Sequence, residues 1–334
     1  MNEWFKEIGK DGDVAISSRV RLARNFKEYP FPERDFKDAE QVISKARKAV
    51  EGLPLEFISM ADCDDITRSS MLARHLISPP FSKNRSGGLL KSGDESICIM
   101  INEEDHLRIQ VLKSGNNLDE AFSLADKIDD EIAKTSEYAF SDSLGYLTKC
   151  PTNLGTGLRA SVMMHLPALE ETGETGKLMA MLSKLGLTIR GTFGESTKAV
   201  GSIYQISNQI TMGIDEKTTI ANLSAIVAQI IERERAARKA LYEGNLGFED
   251  RFYRSYAILK SSRLMSGEEL YSHLSVLRTG VSLNLIGEQK TPEMTRLLFC
   301  TSAGEMMMEA GKIISPEERD AHRSKLVRQS SLFD

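Results

Sequence analysis

The sequence predicts an α+β fold: a domain of mixed strands and helices over about residues 1–240, then a smaller all-helical domain over 241–334. Three observations carry that expectation. Apolar or alternating runs of strand length recur through the first two-thirds, separated by stretches with helical spacing. Polar clusters fall at the ends of those runs. From about Glu216 only helical periodicity remains, punctuated by capping signals. A chain of 334 residues has ample core for two such domains.

Taken in order, residues 13–24 place Arg19 and Arg21 in alternation with Val20 and Leu22, so on a strand the two arginines share one face and Arg24 falls off it. Residues 38–52 read as a helix with Ala39, Val42, Ile43, Ala46 and Val50 on one side. A second helical pattern runs from Arg68 to His75 and stops before Pro79-Pro80. The continuous apolar run 96–101 fits a buried strand, and 107–112 alternates as another. Between them lie three consecutive acids, Glu103, Glu104 and Asp105, followed by His106. Such acids at the end of a buried strand are costly unless a cation sits there. Residues 118–140 form an amphipathic helix through Phe122, Leu124, Ile128, Ile132 and Ala133.

The stretch Cys150-Pro-Thr-Asn-Leu-Gly-Thr-Gly-Leu-Arg159 reads as a turn followed by a helix-like run from Leu158. Its N–H groups are expected to cradle an anion and to favour the thiolate of Cys150. Residues 169–177 are polar and Gly-rich, the composition of a mobile loop. Residues 187–195 form a strand entering a Gly-flanked turn that presents Arg190 and Glu195, and 202–208 a further strand. Residues 219–240 make one long helix. Ser266-Gly-Glu-Glu269, Thr291-Pro292 and Ser315-Pro316-Glu-Glu318 are helix starts. Residues after Val327 are expected to fray.

The net charge of −5 argues against general nucleic-acid binding, although 43 Lys and Arg suffice for one concentrated pocket. No apolar run approaches a membrane span, and the first residues lack the apolar core of a signal peptide. Cys63, Cys98, Cys150 and Cys300 are scattered without metal-type spacing, which suggests reduced thiols and a cytoplasmic location.

Gathered together, the polar clusters set Arg19, Arg21, Arg108, Arg159 and Arg190 beside Glu104, Glu195 and Cys150. Converging arginines call for a multiply charged anion, and a nucleoside triphosphate with magnesium supplies one. Two carboxylates and a thiolate suit a planar cation held by paired N–H···O bonds, which describes a guanidinium. Its nitrogen becomes nucleophilic only when a carboxylate accepts a proton and localises the charge.

On Ser18-Arg19-Val20-Arg21, Asn102-Glu-Glu-Asp-His-Leu-Arg108, Cys150-Pro-Thr-Asn-Leu-Gly-Thr156, Arg159, Arg190-Gly-Thr-Phe-Gly-Glu195 and Tyr204-Gln-Ile-Ser-Asn208, the chain resembles the ATP:guanidino phosphotransferases, or phosphagen kinases. The resemblance covers roughly residues 13–235. It implies a phosphagen-kinase-like antiparallel sheet flanked by helices, with ATP and Mg2+ as cofactors and the metal carried by the nucleotide. It also implies nucleotide contacts from Ser18, Arg19, Arg21, His75, Arg108, Arg159, Arg190, Gly191, Thr192 and Gly194. Glu104 and Glu195 would grip and deprotonate the guanidinium, with Cys150 as thiolate.

Two departures refine the expectation. Phosphagen kinases carry a helical domain before the Ser-x-Arg-Val-Arg motif; here the motif begins at Ser17, so that domain is expected to be missing and the guanidinium pocket open to an arginine within a polypeptide. A helical region also follows residue 240. Both resemble the bacterial protein-arginine kinases of the family. That resemblance implies protein substrates with accessible arginines, a homodimer, a zinc-binding activator, and delivery to Clp-type proteolysis in stress. It further implies a phosphoarginine sensor at Arg319, Asp320 and Arg323. Gln205 stands where small-substrate members carry an acid. A kinase of free arginine, or an idle phosphoarginine-binding adaptor, are the alternatives.

Overall fold

The computed structural model describes residues 3–33, 36–191 and 199–334. Ten strands are present among them: β1 Ala15–Arg24, β2 Leu55–Ser59, β3 Gly88–Ser92, β4 Ile97–Ile101, β5 Leu107–Ser114, β6 Phe140–Ser141, β7 Gly145–Tyr146, β8 Leu158–His165, β9 Leu187–Gly191 and β10 Ile203–Asn208. Strands β6 and β7 form a small ribbon, and the rest one antiparallel sheet in the order β2-β3-β4-β5-β1-β8-β10-β9. The sheet is accompanied by helices α1 Ala39–Ala49, α2 Asp65–Ala73, α3 Leu118–Ala133, α4 Pro167–Glu171 and α5 Thr175–Lys184. Helix α6, Glu216–Tyr242, leads to α7 Leu246–Ser261, α8 Gly267–Ser282, α9 Thr291–Phe299, α10 Ala303–Ala310 and α11 Pro316–Arg328.

Strand alternation splits the central sheet chemically. Val20, Leu22, Ile109, Val111, Ala160 and Val162 point to one side and join a core with α1, α3 and α6. The other side carries arginines toward one end. Toward its other end, Leu112 and Met163 enter a second core built from Trp4, Phe5, Phe252, Leu277, Phe299 and their neighbours in the C-terminal helices. Ala237 on α6 packs against both cores.

A buried polar network ties the sheet to those helices. Arg238 and Glu234, both 0% exposed, pair at 2.7 Å on α6. Arg238 also donates to the Asp13 carbonyl, the Ser282 hydroxyl and the His165 carbonyl. Glu234 accepts from the N–H groups of Ala168 and Leu169, where α4 begins. Removing one member of such a pair strands the other charge in the interior. Arg238→Met is therefore expected to lower unfolding stability by about 3–5 kcal/mol, read as a reduced urea midpoint.

Several sequence expectations change. Residues 158–165 are strand, not helix: β8 lies between β1 and β10, buried on both faces, so its apolar run does not alternate. The expected loop 169–177 is the end of α4 and the start of α5, whose Leu178 and Leu182 are buried. Helix α3 stops at Ala133. Ser266 and Ser315 cap α8 and α11 as expected, whereas Thr291 lies inside α9. The C-terminus does not fray: Leu332 is 1% exposed, and Lys290 Nζ donates to the carbonyls of Ser331 and Asp334.

Candidate active site

Strand register brings the arginines together. Arg21 on β1 pairs across with Arg159 on β8, and Ala23 with Arg108 on β5, so Arg19, Arg21, Arg108 and Arg159 share one face. That face continues through Met163 and Gln205 to Arg190 on β9. Gln205 donates to the Ser161 hydroxyl at 2.8 Å between them.

Electrostatics follow from this crowding. Burial together with Arg108 and Arg159 pushes Arg19 down to about 10. Burial, Arg19, Arg108 and Arg159 hold Arg21 well below its ordinary value, and Arg159 is lowered by burial, Arg190 and Arg108. Among the described residues, the 2.8 Å bridge from Arg108 to Glu103 is the one ion pair that any of the five makes. The Nε atoms of Arg21 and Arg159 are buried without a hydrogen-bond partner. Mutually repelling guanidinium groups with a single ion pair among them fit a polyphosphate, which would supply acceptors for the orphaned donors and the missing negative charge.

A cavity of about 240 Å³ joins this face to the acid turn, with Arg21, Arg108, Arg159, Glu104 and Cys150 on its walls. The acids take separate roles. Glu103 accepts from Ser78 and Arg108, which outweigh its burial and hold its carboxyl below the usual range. Asp105, 2% exposed, accepts from Asn25 and from the Lys149 N–H, each at 2.7 Å, and so ties the acid turn to the Cys150 turn. Glu104 is left facing the cavity. Burial, Glu103 and Asp105 push its carboxyl up, while Arg108 and a hydrogen bond with Cys150 oppose them. Cys150 Sγ also lies 3.0 Å from the Thr152 hydroxyl.

The Cys150 turn is a 3-10 turn, Pro151–Asn153, with a strand after it and no helix. Its N–H groups at Asn153, Leu154 and Thr156 donate to Cys150, Pro151 and Thr211 carbonyls. Those three are not free to cradle an anion. Gly155, at φ 106°, lies so close to Thr211 that a Cβ would stand 2.2 Å from its carbonyl oxygen. Any side chain there would push the turn away from the sheet.

Other expected site residues divide. His75, at φ 61°, offers its carbonyl to Gln110, and its imidazole is pushed down to about 3 by burial and by Arg19 and Arg21. It stands beside the arginine face in its neutral form. Ser18 does not share that face: strand alternation turns it to the opposite side, where its hydroxyl bonds the Gly115 carbonyl and the Asn117 N–H. Arg24 likewise lies opposite, paired with Asp129 at 2.7 Å. Gly191 ends β9, while Thr192, Gly194 and Glu195 lie outside the described residues. The run Glu103, Glu104 and Asp105 is visible in the sequence without a means of ranking its members, and nothing in the sequence marks Gln110.

In the C-terminal region Arg323 is 5% exposed. It donates to the carbonyls of Thr301 and Met265 and pairs with Asp320. Arg319 and Asp320 are half-buried. Arg323 therefore fastens α11 to two neighbouring loops.

Comparisons with known proteins agree with this geometry. The profile described as ATP:guanido phosphotransferase, C-terminal catalytic domain, matches residues 38–237. The profile described as protein-arginine kinase McsB C-terminal domain matches 245–332. The chain is 43% identical over 341 residues to the protein-arginine kinase of Bacillus cereus (strain AH187), covering 98% of this chain and 96% of that one. The same identity and coverage hold for the protein-arginine kinase of Bacillus anthracis. Among solved structures, lombricine kinase matches with TM-score 0.60 and 27% identity over 68% of each chain. The duplicated taurocyamine kinase from Schistosoma mansoni, with bound transition state analog components, gives 0.61 and 26% over 68% of this chain and 34% of that one. The chain thus spans about a third of that duplicated kinase. With the arginine face, the acid turn and near-full-length identity in agreement, this chain belongs to the ATP:guanido phosphotransferase family, in its protein-arginine kinase branch.

Proposed function

We propose that this chain transfers the γ-phosphoryl group of Mg-ATP to the guanidino group of arginine residues in proteins. The observation that carries the reading is the arginine face, with the Nε atoms of Arg21 and Arg159 lacking acceptors, opening onto Glu104 and Cys150 in a chain 43% identical to protein-arginine kinases. Bound Mg-ATP supplies the transferable phosphoryl group, with magnesium entering on the nucleotide. Arg19, Arg21, Arg159 and Arg190 hold the phosphates, with Arg108 shared between them and Glu103. Neutral His75 contacts the base. Glu104 orients the substrate guanidinium and accepts its proton, which leaves the attacking nitrogen with a localised lone pair. Cys150, beside Glu104, steadies the cation as thiolate, and Glu195 supplies the second carboxylate. Gly191, Thr192 and Gly194 complete the nucleotide contacts.

The reading extends to regulation. Arg319 and Asp320, with the buried Arg323 as their anchor, receive a phosphoarginine, Arg319 taking the phosphoryl group and the acid the guanidinium. The protein acts in the cytoplasm as a homodimer with a zinc-binding activator, marking substrates for Clp-type proteolysis under stress. Among the described residues no helix is long and apolar enough to cross a membrane.

Labelled Mg-ATP supplied to an unfolded, arginine-rich protein tests the central claim, with free arginine in parallel. Acid-labile label on protein, with little on free arginine, is the expected result. Label mainly on free arginine would replace the protein substrate by a small guanidine. No label in either tube, with and without cell extract to supply an activator, would leave an adaptor that only binds phosphoarginine.

A further inference from the structure

Beyond Glu103 the catalytic cavity meets a second one, of about 440 Å³, which carries none of the five phosphate-facing arginines. Glu103 lines both cavities, and Lys149 on the wall of the second directly precedes Cys150 on the wall of the first. A guanidinium seated at Glu104 and Cys150 therefore has this space beside the chain that bears it.

The chemistry of the walls is specific. Lys83, exposed at the end of the 3-10 turn Phe81–Lys83, and Lys149, whose Nζ meets the Pro32 carbonyl, have no carboxylate in ion-pairing distance among the described residues. Of the lining acids, Glu103 is committed to Arg108 and Ser78, which leaves Glu33. Asn102 adds an independent observation. It is 2% exposed at φ 62°, its Nδ2 donates to the Ala39 carbonyl, and its buried Oδ1 accepts nothing. A buried amide oxygen without a donor calls for one from outside, and a peptide N–H is such a donor.

We propose that this cavity is the docking groove for the polypeptide segment flanking the phosphoacceptor arginine, and that it selects an acidic side chain close to that arginine. Lys83 and Lys149 pair with the acid, and Asn102 Oδ1 accepts a main-chain N–H. The inference rests on the protein-arginine kinase reading and adds its substrate preference.

The test uses the full-length protein, Mg-ATP and three peptides, each with one arginine flanked on both sides by Glu, Gln or Lys. The readout is kcat/KM for acid-labile label. The Glu peptide is expected to exceed the Lys peptide by about fivefold, the size of one modest ion pair, with Gln between them. Lys83→Glu is expected to shrink or invert that ratio, and high salt to narrow it. Because the readout is a ratio within one preparation, a general loss of activity does not mimic the effect. Equal rates on all three peptides, or an unchanged ratio in Lys83→Glu, would overturn the groove alone. Label on free arginine with none on any peptide would overturn the parent reading and the groove with it.

Discussion

Glu104→Gln is expected to reduce phosphoryl transfer by roughly 10²–10⁴-fold while Mg-ATP binding persists. Of the acids in the turn, Glu104 alone is left without a committed structural partner outside the cavity, since Glu103 is held by Arg108 and Ser78, and Asp105 by Asn25 and the Lys149 N–H. Glutamine keeps the shape and can still bond a guanidinium, but it cannot take a proton. The pH dependence follows with its sign. Burial, Glu103 and Asp105 raise the Glu104 carboxyl, and the working form is the carboxylate. Activity is therefore lost as pH falls through this raised value, above the range of an ordinary glutamate. A kcat/KM profile of the wild-type protein should show that acidic limb, and the residual activity of the variant should lack it. Loss of nucleotide binding together with turnover would assign Glu104 a structural role instead.

Arg21→Met is expected to act in opposite directions on the free and the nucleotide-bound protein. In the free protein Arg21 is disfavoured by burial and by Arg19, Arg108 and Arg159, and its Nε has no acceptor. Methionine retains the apolar stem and removes the charge, so unfolding stability without nucleotide should rise by about 1–2 kcal/mol. Stabilisation by Mg-ATP should be lost, and at a hundredfold excess over Kd that stabilisation is worth about 2.7 kcal/mol. Thermal unfolding with and without Mg-ATP reads both effects. A variant less stable in both conditions would mean that Arg21 holds the sheet together rather than waiting for an anion.

Much of the site was legible because chemistry and periodicity coincide on single strands. Arg19 and Arg21 alternate with Val20 and Leu22, and the alternation alone places both arginines on one face. Ser18 shows the limit of motif reading: it belongs to the same recognisable run, yet the pleat sends it to the other side. The sequence around Arg159 reads as helical, not strand, because β8 is covered on both faces and its apolar run carries no period of two. Which of Glu103, Glu104 and Asp105 faces substrate depends on contacts from Ser78, Asn25 and Lys149, far apart in sequence. The helix over 219–240 was legible as a helix, but not that Glu234 and Arg238 on it are fully buried, since the groups they bond, at Asp13, His165, Ala168 and Leu169, are far away in sequence.

That burial limits how the chain can be divided. Leu112 and Met163, on the strands that also carry Arg108 and Arg159, are covered by the C-terminal helices, and Trp4 and Phe5 from the other end of the chain complete the same cluster. A protein cut after residue 240 would turn apolar sheet surface to water and deprive Arg238 of Ser282. The helical portion alone would lack the aromatic side chains that fill it. Neither half is a transplantable cassette: grafting the kinase chemistry onto another scaffold would require carrying the helices along, or redesigning the far end of the face that bears the arginines.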